Sequence, residues 1–358
     1  MPAKHEKPRQ VVLVPYDKQW PLLFAQEEQQ LAAILKQRCL AIHHIGSTAI
    51  PQIHAKPIID ILQVVDDIEK IDALNPHFEA LGYTCMGEYG IKGRRFFWKS
   101  KSQRSHNIHI FSQNSPEIAR HLAFRDFLIN NPVYAQAYSL IKQSLAAVFV
   151  DDIENYVNGK ASFIQYIDYK TGQCSQEQLD ADDHIVISAY NPAWPLLAKA
   201  EIDTITEFSK ALDFVVIEHI GSTAVPELSS KPIIDLFITI QSLDQAPQWI
   251  ELLETLGYVF WPENPDKTHL RFFKGMPPFG KGRTHHIHLM EASTSSMEHR
   301  LLFRDILRLD GQIRRDYEKL KQQLANEHSR DREYYTDAKS LFITQVLRTH
   351  GYEKPISR

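Results

Sequence analysis

The chain has 358 residues, room for two domains of ordinary size, and its 43% apolar and 23% charged residues exclude wholesale disorder. Forty Lys and Arg against 44 Asp and Glu leave a formal charge of −4, so no global electrostatic pull draws it toward nucleic acid or anionic lipid. No apolar run approaches the roughly 20 residues that span a bilayer. The N-terminal stretch MPAKHEKPRQ lacks the apolar core of a signal peptide, and Cys39, Cys85 and Cys174 are scattered without a CxxC; the expectation is a cytoplasmic protein with no membrane partner.

In chain order, Pro21 opens an amphipathic helix that runs to about Gln37. Leu40 to Ile45 reads as a short strand, and Gly46 to Lys56 as a loop. Pro57 to Val65, PIIDILQVV, is a nearly continuous apolar run and reads as a central buried strand. Glu69 to Leu81 is predicted as a helix, Arg94–Lys99 and His106–Phe111 as strands. Helices follow over Ser115–Asn130, Val133–Phe149 and Ile153–Tyr169. The order is that of an α+β domain, a mixed β-sheet with flanking helices.

The same order is then written again. HHIGSTAIPQIHAKPIIDI (43–61) and EHIGSTAVPELSSKPIIDL (218–236) agree at 12 of 19 positions at an offset of 175. Tyr16, Trp20 and Pro21 match Tyr190, Trp194 and Pro195. Arg95-Phe96-Phe97 matches Arg271-Phe272-Phe273, His106-Asn107-Ile108-His109 matches His285-His286-Ile287-His288, and Tyr156 with Lys160 matches Tyr335 with Lys339. Units this long are complete domains rather than solenoid repeats. The polar stretch 170–183 is read as the linker, giving domains over 1–172 and 173–358.

Three features carry chemistry. Asp60 and its twin Asp235 interrupt apolar strands, where a carboxylate is costly unless it is paired or bound to a metal. Just upstream, Gly46-Ser47-Thr48 and Gly221-Ser222-Thr223 form small polar turns whose amides and hydroxyls can hold a phosphate, with Lys56 and Lys231 close behind. Strand alternation puts Asn107 with His109, and His286 with His288, on one face, a spacing open both to metal ligation and to plain hydrogen bonding. Arg95 and Arg271 are either ion-pair partners or anion clamps.

These segments resemble the GrpB family: IGSTAIPQIHAKPIIDI, IGSTAVPELSSKPIIDL, the opening Tyr-x-x-x-Trp-Pro, the RTHHIHL strand and the closing Tyr-x-x-x-Lys helix. The resemblance covers nearly the whole chain as two tandem copies. It implies the nucleotidyltransferase superfamily fold, in which a Gly-Ser turn binds nucleotide phosphates. In that superfamily a strand with Asp-x-Asp and a third carboxylate hold two magnesium ions. Carried over, Ser47 and Ser222 take the phosphate position, and Asp60 and Asp235 the first carboxylate. The second falls on Leu62 and Phe237, and the third on Asn107 and His109 or His286 and His288. One carboxylate with imidazoles suits zinc, manganese or iron better than magnesium.

The leading expectation is a protein that binds a nucleotide or other phosphorylated small molecule and transfers a nucleotidyl or phosphoryl group with a divalent metal. Asp60, Asp235, His109 and His288 are the catalytic candidates. Gly46, Ser47, Thr48, Lys56, Arg95, Gly221, Ser222, Thr223, Lys231 and Arg271 are the phosphate-binding candidates, and Asp60, His109, Asp235, His286 and His288 the metal-binding ones. The alternatives are a non-catalytic nucleotide-binding module and a single-metal enzyme built on His286, His288 and Asp235.

Overall fold

A computed structural model describes residues 10–99, 104–265, 268–292, 296–354 and 356. In the first copy the elements are α1 (Trp20–Leu35), β1 (Cys39–Ile45), β2 (Ile59–Val65), α2 (Asn75–Ala80), β3 (Tyr83–Cys85), β4 (Arg95–Lys99), β5 (His106–Ser112), α3 (Pro116–Asn130), α4 (Pro132–Val148), α5 (Ile153–Gly159) and α6 (Ala161–Lys170). After the short α7 (Gln176–Leu179), the second copy has α8 (Ala193–Phe208), β6 (Val216–Ile220), β7 (Ile234–Ile240), α9 (Ala246–Thr255), β8 (Tyr258–Trp261), β9 (His269–Lys274) and β10 (His285–Glu291). It closes with α10 (Ser296–Leu309), α11 (Gly311–Glu327), α12 (Arg332–Ala338) and α13 (Ser340–Thr349).

Each copy builds its own five-stranded sheet, in the orders β1-β2-β5-β4-β3 and β6-β7-β10-β9-β8. Both sheets are mixed. The pairs β2–β5 and β7–β10 are parallel and every other pair is antiparallel. Two compact units result. One runs to Ala146 and adds Val150–Ile153 and Ile167–Cys174; the other takes Ala147–Phe149, Glu154–Tyr166 and the chain from Ser175.

Two sequence-predicted helices are broken in the structure. The stretch 69–81 becomes two 3-10 turns and the short α2, because Pro76 fits the first turn of a helix but not its interior. The last predicted helix, 153–169, is divided after Gly159 into α5 and α6. Among the described residues no helix is long and apolar enough to cross a membrane, and the three cysteines are free.

In β2 and β7 every residue is buried except Asp60 and Asp235. One face of the first sheet closes over Trp20, Leu31, Leu35, Phe78, Phe97, Ile108 and Ile110. Its other face packs Ile45, Leu62 and Phe111 against Ile118 and Leu122 of α3. The second sheet does the same with Ile220, Phe237 and Met290 against Met297 and Leu301 of α10. Asp60 and Asp235 lie on this second kind of face. They are the second residues of their strands rather than the middle ones, so each carboxylate sits where the strand begins, with 27% of the side chain exposed.

Candidate functional site

The site is assembled around the turn joining β1 to β2. Gly46 has φ 70° and Gly221 φ 72°, in the region that favours glycine. A Cβ at either would stand 2.5 Å from the Oδ2 of Asp60 or Asp235. The turn thus lies directly on the carboxylate, and two independent constraints select glycine. Gly46→Ala and Gly221→Ala are each expected to cost roughly 1–3 kcal/mol in backbone strain alone, measured by urea denaturation, and to move the carboxylate aside. An alanine variant as stable as the parent would show that the turn is free to relax.

The turn is pinned from beneath. Thr48 is 1% and Thr223 0% exposed. Their hydroxyls donate to the carbonyls of Ile58 (3.1 Å) and Ile233 (3.0 Å). A hydroxyl has one proton to give, so the same oxygen accepts from Nε2 of His44 or His219, at 3.0 Å in both copies. Thr48 and Thr223, expected on the phosphate, are instead committed to holding the turn. Ser47 and Ser222 hydrogen-bond to the phenols of Tyr138 and Tyr317. These buried tyrosines sit near the aspartates, and burial raises their pKa values.

Behind the turn stand lysines that the sequence reading passed over. Lys142 is 1% exposed and donates to the carbonyl of His54; Lys321 is 2% exposed and donates to the carbonyl of Ser229 at 2.5 Å. In the second copy Lys321 has company. The ammonium groups of Lys231 and Lys339 lie 4.8 and 4.2 Å from the centre of the Tyr335 ring. Burial depresses all three, with neighbouring cations adding to it and Glu318 opposing it at Lys321: Lys231 to about 8, Lys321 to about 7, and Lys339 well below its ordinary value. Lys231 and Lys321 both act on Lys339, and Asp235 is the acid that opposes them. The repeated spacing Tyr138-x-x-x-Lys142 and Tyr317-x-x-x-Lys321 was a readable signal, one helical turn apart on one face. In the first copy Lys56 acts on Asp60 as Lys231 does on Asp235.

The strand face differs between copies. Asn107 donates to Asp60 Oδ1 at 2.8 Å, with His109 Nε2 3.8 Å from the same oxygen. In the second copy His286 Nδ1 lies 3.0 Å from Asp235 Oδ1. Burial pushes both carboxylates up, but these bonds and the nearby lysine outweigh it and hold them below the ordinary value. His288 stands two residues further along, on the same strand face. It pairs in register with Phe237, and their rings stack at 6.5 Å.

This donor set does not fit a two-metal centre. Leu62 and Phe237, at the second-carboxylate positions, are 0% exposed core residues. Among the described residues no three His, Cys, Asp or Glu side chains are grouped so as to hold a metal ion. Asp60 is paired with Asn107 and His109, and Asp235 with His286, while His288 bonds to neither.

The arginine pair is also corrected. Tyr83 pairs with Lys99 and Tyr258 with Lys274, so β4 and β9 correspond at the offset of 175. The matching Arg-Phe-Phe triplets are therefore one residue out of step, and a one-residue slip changes the face of every side chain. Arg95 pairs in register with Ile110, on the face opposite Asp60, and is held by Asp72 (2.7 Å) and Glu69 (3.3 Å). Arg271 pairs with His288 on the site face, at the place that Phe96 takes beside His109.

Comparison with known proteins agrees with the duplication. The profile of the family described as GrpB protein matches twice, over residues 10–170 and 184–349. UPF0157 protein YqkA of Bacillus subtilis is 39% identical over 178 residues, 50% of this chain and 52% of YqkA, so the chain spans about half the length of that relative. A crystal structure of conserved protein GrpB from Enterococcus faecalis is 43% identical, covering 45% of this chain and 96% of that one, with a TM-score of 0.44. A more distant match, 28% identical, is to dephospho-CoA kinase of Mycobacterium leprae, covering 37% of this chain and 38% of that enzyme. With the family profile matched across both halves, the chain belongs to the GrpB family as two tandem copies of its domain.

Proposed function

We propose that the site around Asp60 and its counterpart around Asp235 each bind a nucleotide or other phosphorylated small molecule, with buried lysines as the phosphate anchor. The observation that carries this reading is the gathering of Lys231, Lys321 and Lys339 near Ser222 and Asp235. Cations crowded at partial burial destabilise one another. A polyanion relieves that repulsion, and its affinity draws on the strain it removes. The cluster thereby resembles a site kept for a ligand at a cost in stability.

The test is calorimetric titration of the full chain with a panel of nucleoside triphosphates. Binding is expected for the phosphorylated compounds and not for free nucleosides. Lys339→Met should weaken it at least tenfold while raising the stability of the unliganded protein by about 1 kcal/mol, because a repelling charge is lost. Equal affinity for Lys339→Met and the parent would reject the lysine anchor. Since lysines rather than protein-held metal neutralise the phosphates, binding should persist in EDTA. A strict magnesium requirement would point instead to a cation carried in on the phosphates and Asp235.

One observation favours group transfer in the second copy. His286 is oriented by Asp235 through Nδ1, and its Nε2 is a buried atom without a hydrogen-bond partner. A neutral ring so held can take the proton of an acceptor hydroxyl as that oxygen bonds to phosphorus and the leaving phosphate departs. Asn107 has no such proton-accepting nitrogen. On this reading His286→Asn, which copies the first domain, abolishes turnover and spares binding; unchanged turnover removes His286 from the chemistry.

A further inference from the structure

The two copies share the turn, the aspartate and the tyrosine–lysine pairs, but the surface beyond the aspartate has diverged. In the first copy that surface is aromatic. Phe96 stacks with Tyr89 at 5.1 Å, Trp98 meets Tyr89 edge-on at 5.7 Å, and the Arg94 guanidinium covers Phe96 at 4.8 Å. In the second copy the strand position of Phe96 is Arg271, and the helix position of His121 is Arg300. Arg271 donates from Nε to His269 at 2.9 Å, and the His269 and His288 rings are 5.5 Å apart.

Resting on the phosphate reading above, we propose that the second copy holds an additional anion subsite, formed by Arg271, Arg300 and His288, that takes a second carboxylate or phosphate group of its ligand. The first copy, with its aromatic surface, lacks this subsite.

Three observations support it. Register places Arg271 beside His288, and His286 and Asp235 lie one pair along the same face, so the subsite adjoins the aspartate. The charged groups acting most strongly on the half-buried His288 ring are Arg300, Arg271, His269 and His286, all basic. Its Nδ1 is buried without a hydrogen-bond partner. A guanidinium fork over a strand face suits a planar carboxylate or a phosphate, which it grips by two parallel bonds. In the first copy the sheet offers Phe96 at that point, and the guanidinium that reaches His109, that of Arg94, is committed to the carbonyls of Glu88 and Tyr89 and to His109 Nδ1 at 3.3 Å.

The experiment titrates the full chain calorimetrically with inorganic phosphate and with inorganic tripolyphosphate. The variants are Arg271→Phe, which installs the first copy's residue, the reverse variant Phe96→Arg, and Lys339→Ala; circular dichroism melting confirms that each is folded. Arg271→Phe should weaken tripolyphosphate at least tenfold and leave phosphate within twofold, since the single ion stays with the lysines. Phe96→Arg should add affinity for tripolyphosphate. If Lys339→Ala weakens tripolyphosphate and Arg271→Phe does not, the lysine anchor stands and the subsite falls. If Arg271→Phe weakens it and Lys339→Ala does not, the subsite stands without the proposed anchor. No tripolyphosphate binding by the parent overturns both.

Discussion

Lys274→Met is expected to cost about 3–5 kcal/mol of stability, among the larger effects of any single substitution in this chain. Lys274 is 2% exposed and donates to Glu201 Oε1 at 2.5 Å; Glu201 is 7% exposed and also accepts from the Tyr258 hydroxyl at 2.9 Å. Burial pushes the Glu201 carboxyl up, but Lys274, His285 and Tyr258 together hold it below its ordinary value. Removing the lysine leaves a carboxylate inside the fold with only the Tyr258 hydroxyl and, 4.0 Å away, the His285 ring as partners. The first copy offers an internal control. Lys99 bonds Glu27 in the same arrangement, but its side chain is 23% exposed against 3% for Lys274. Water can replace part of what is lost there, so Lys99→Met should cost less. Urea unfolding of the two variants checks the order. The double variant Glu201→Gln/Lys274→Met should recover much of the loss, because no unpaired charge remains. Equal small losses in both copies would mean that neither pair is shielded from water.

The duplication, the α+β class and the central strands were legible because each rests on a local pattern: the repeated IGSTA and KPIID segments, and runs of apolar residues bounded by Pro and Gly. The close approach of Gly46 to Asp60 was half legible. The sequence places the two near one another, but only φ and the missing Cβ show why the residue is glycine. Strand register was not legible. Two Arg-Phe-Phe triplets look equivalent in one dimension, yet pairing through Tyr83–Lys99 and Tyr258–Lys274 sets them one residue apart. Helix breaks at Pro76 and after Gly159 escaped the periodicity, which continues across them. Lys142 and Lys321 were missed because a lysine on an amphipathic helix ordinarily faces water; only the tertiary fold buries it beneath the turn.

Acid should destabilise the protein well before its carboxylates titrate, through His44 and His219. Burial depresses each to about 4. The Thr48 and Thr223 hydroxyls already give their protons to backbone carbonyls, so each histidine must donate from Nε2 and is held as the neutral ring. The His44 ring also stacks on Phe24, with centroids 4.9 Å apart and planes 6° apart, which shields one of its faces. In the unfolded chain the same groups protonate at about 6.5. The unfolded state therefore binds protons that the folded state refuses as the pH falls from about 6.5 toward 4. Stability from these two rings is complete above about 6.5, declines through that window, and levels off only below the folded pKa values. Each ring contributes on the order of 2 kcal/mol to the decline, after allowance for partial exposure. Melting temperatures between pH 7.5 and 4.5 should fall steeply, and His44→Gln/His219→Gln should flatten the curve while lowering its neutral plateau. Glutamine keeps an amide donor for the threonine but has no proton to gain. A curve of unchanged steepness in the double variant would assign the acid sensitivity to other groups and free the turn from dependence on the neutral imidazole.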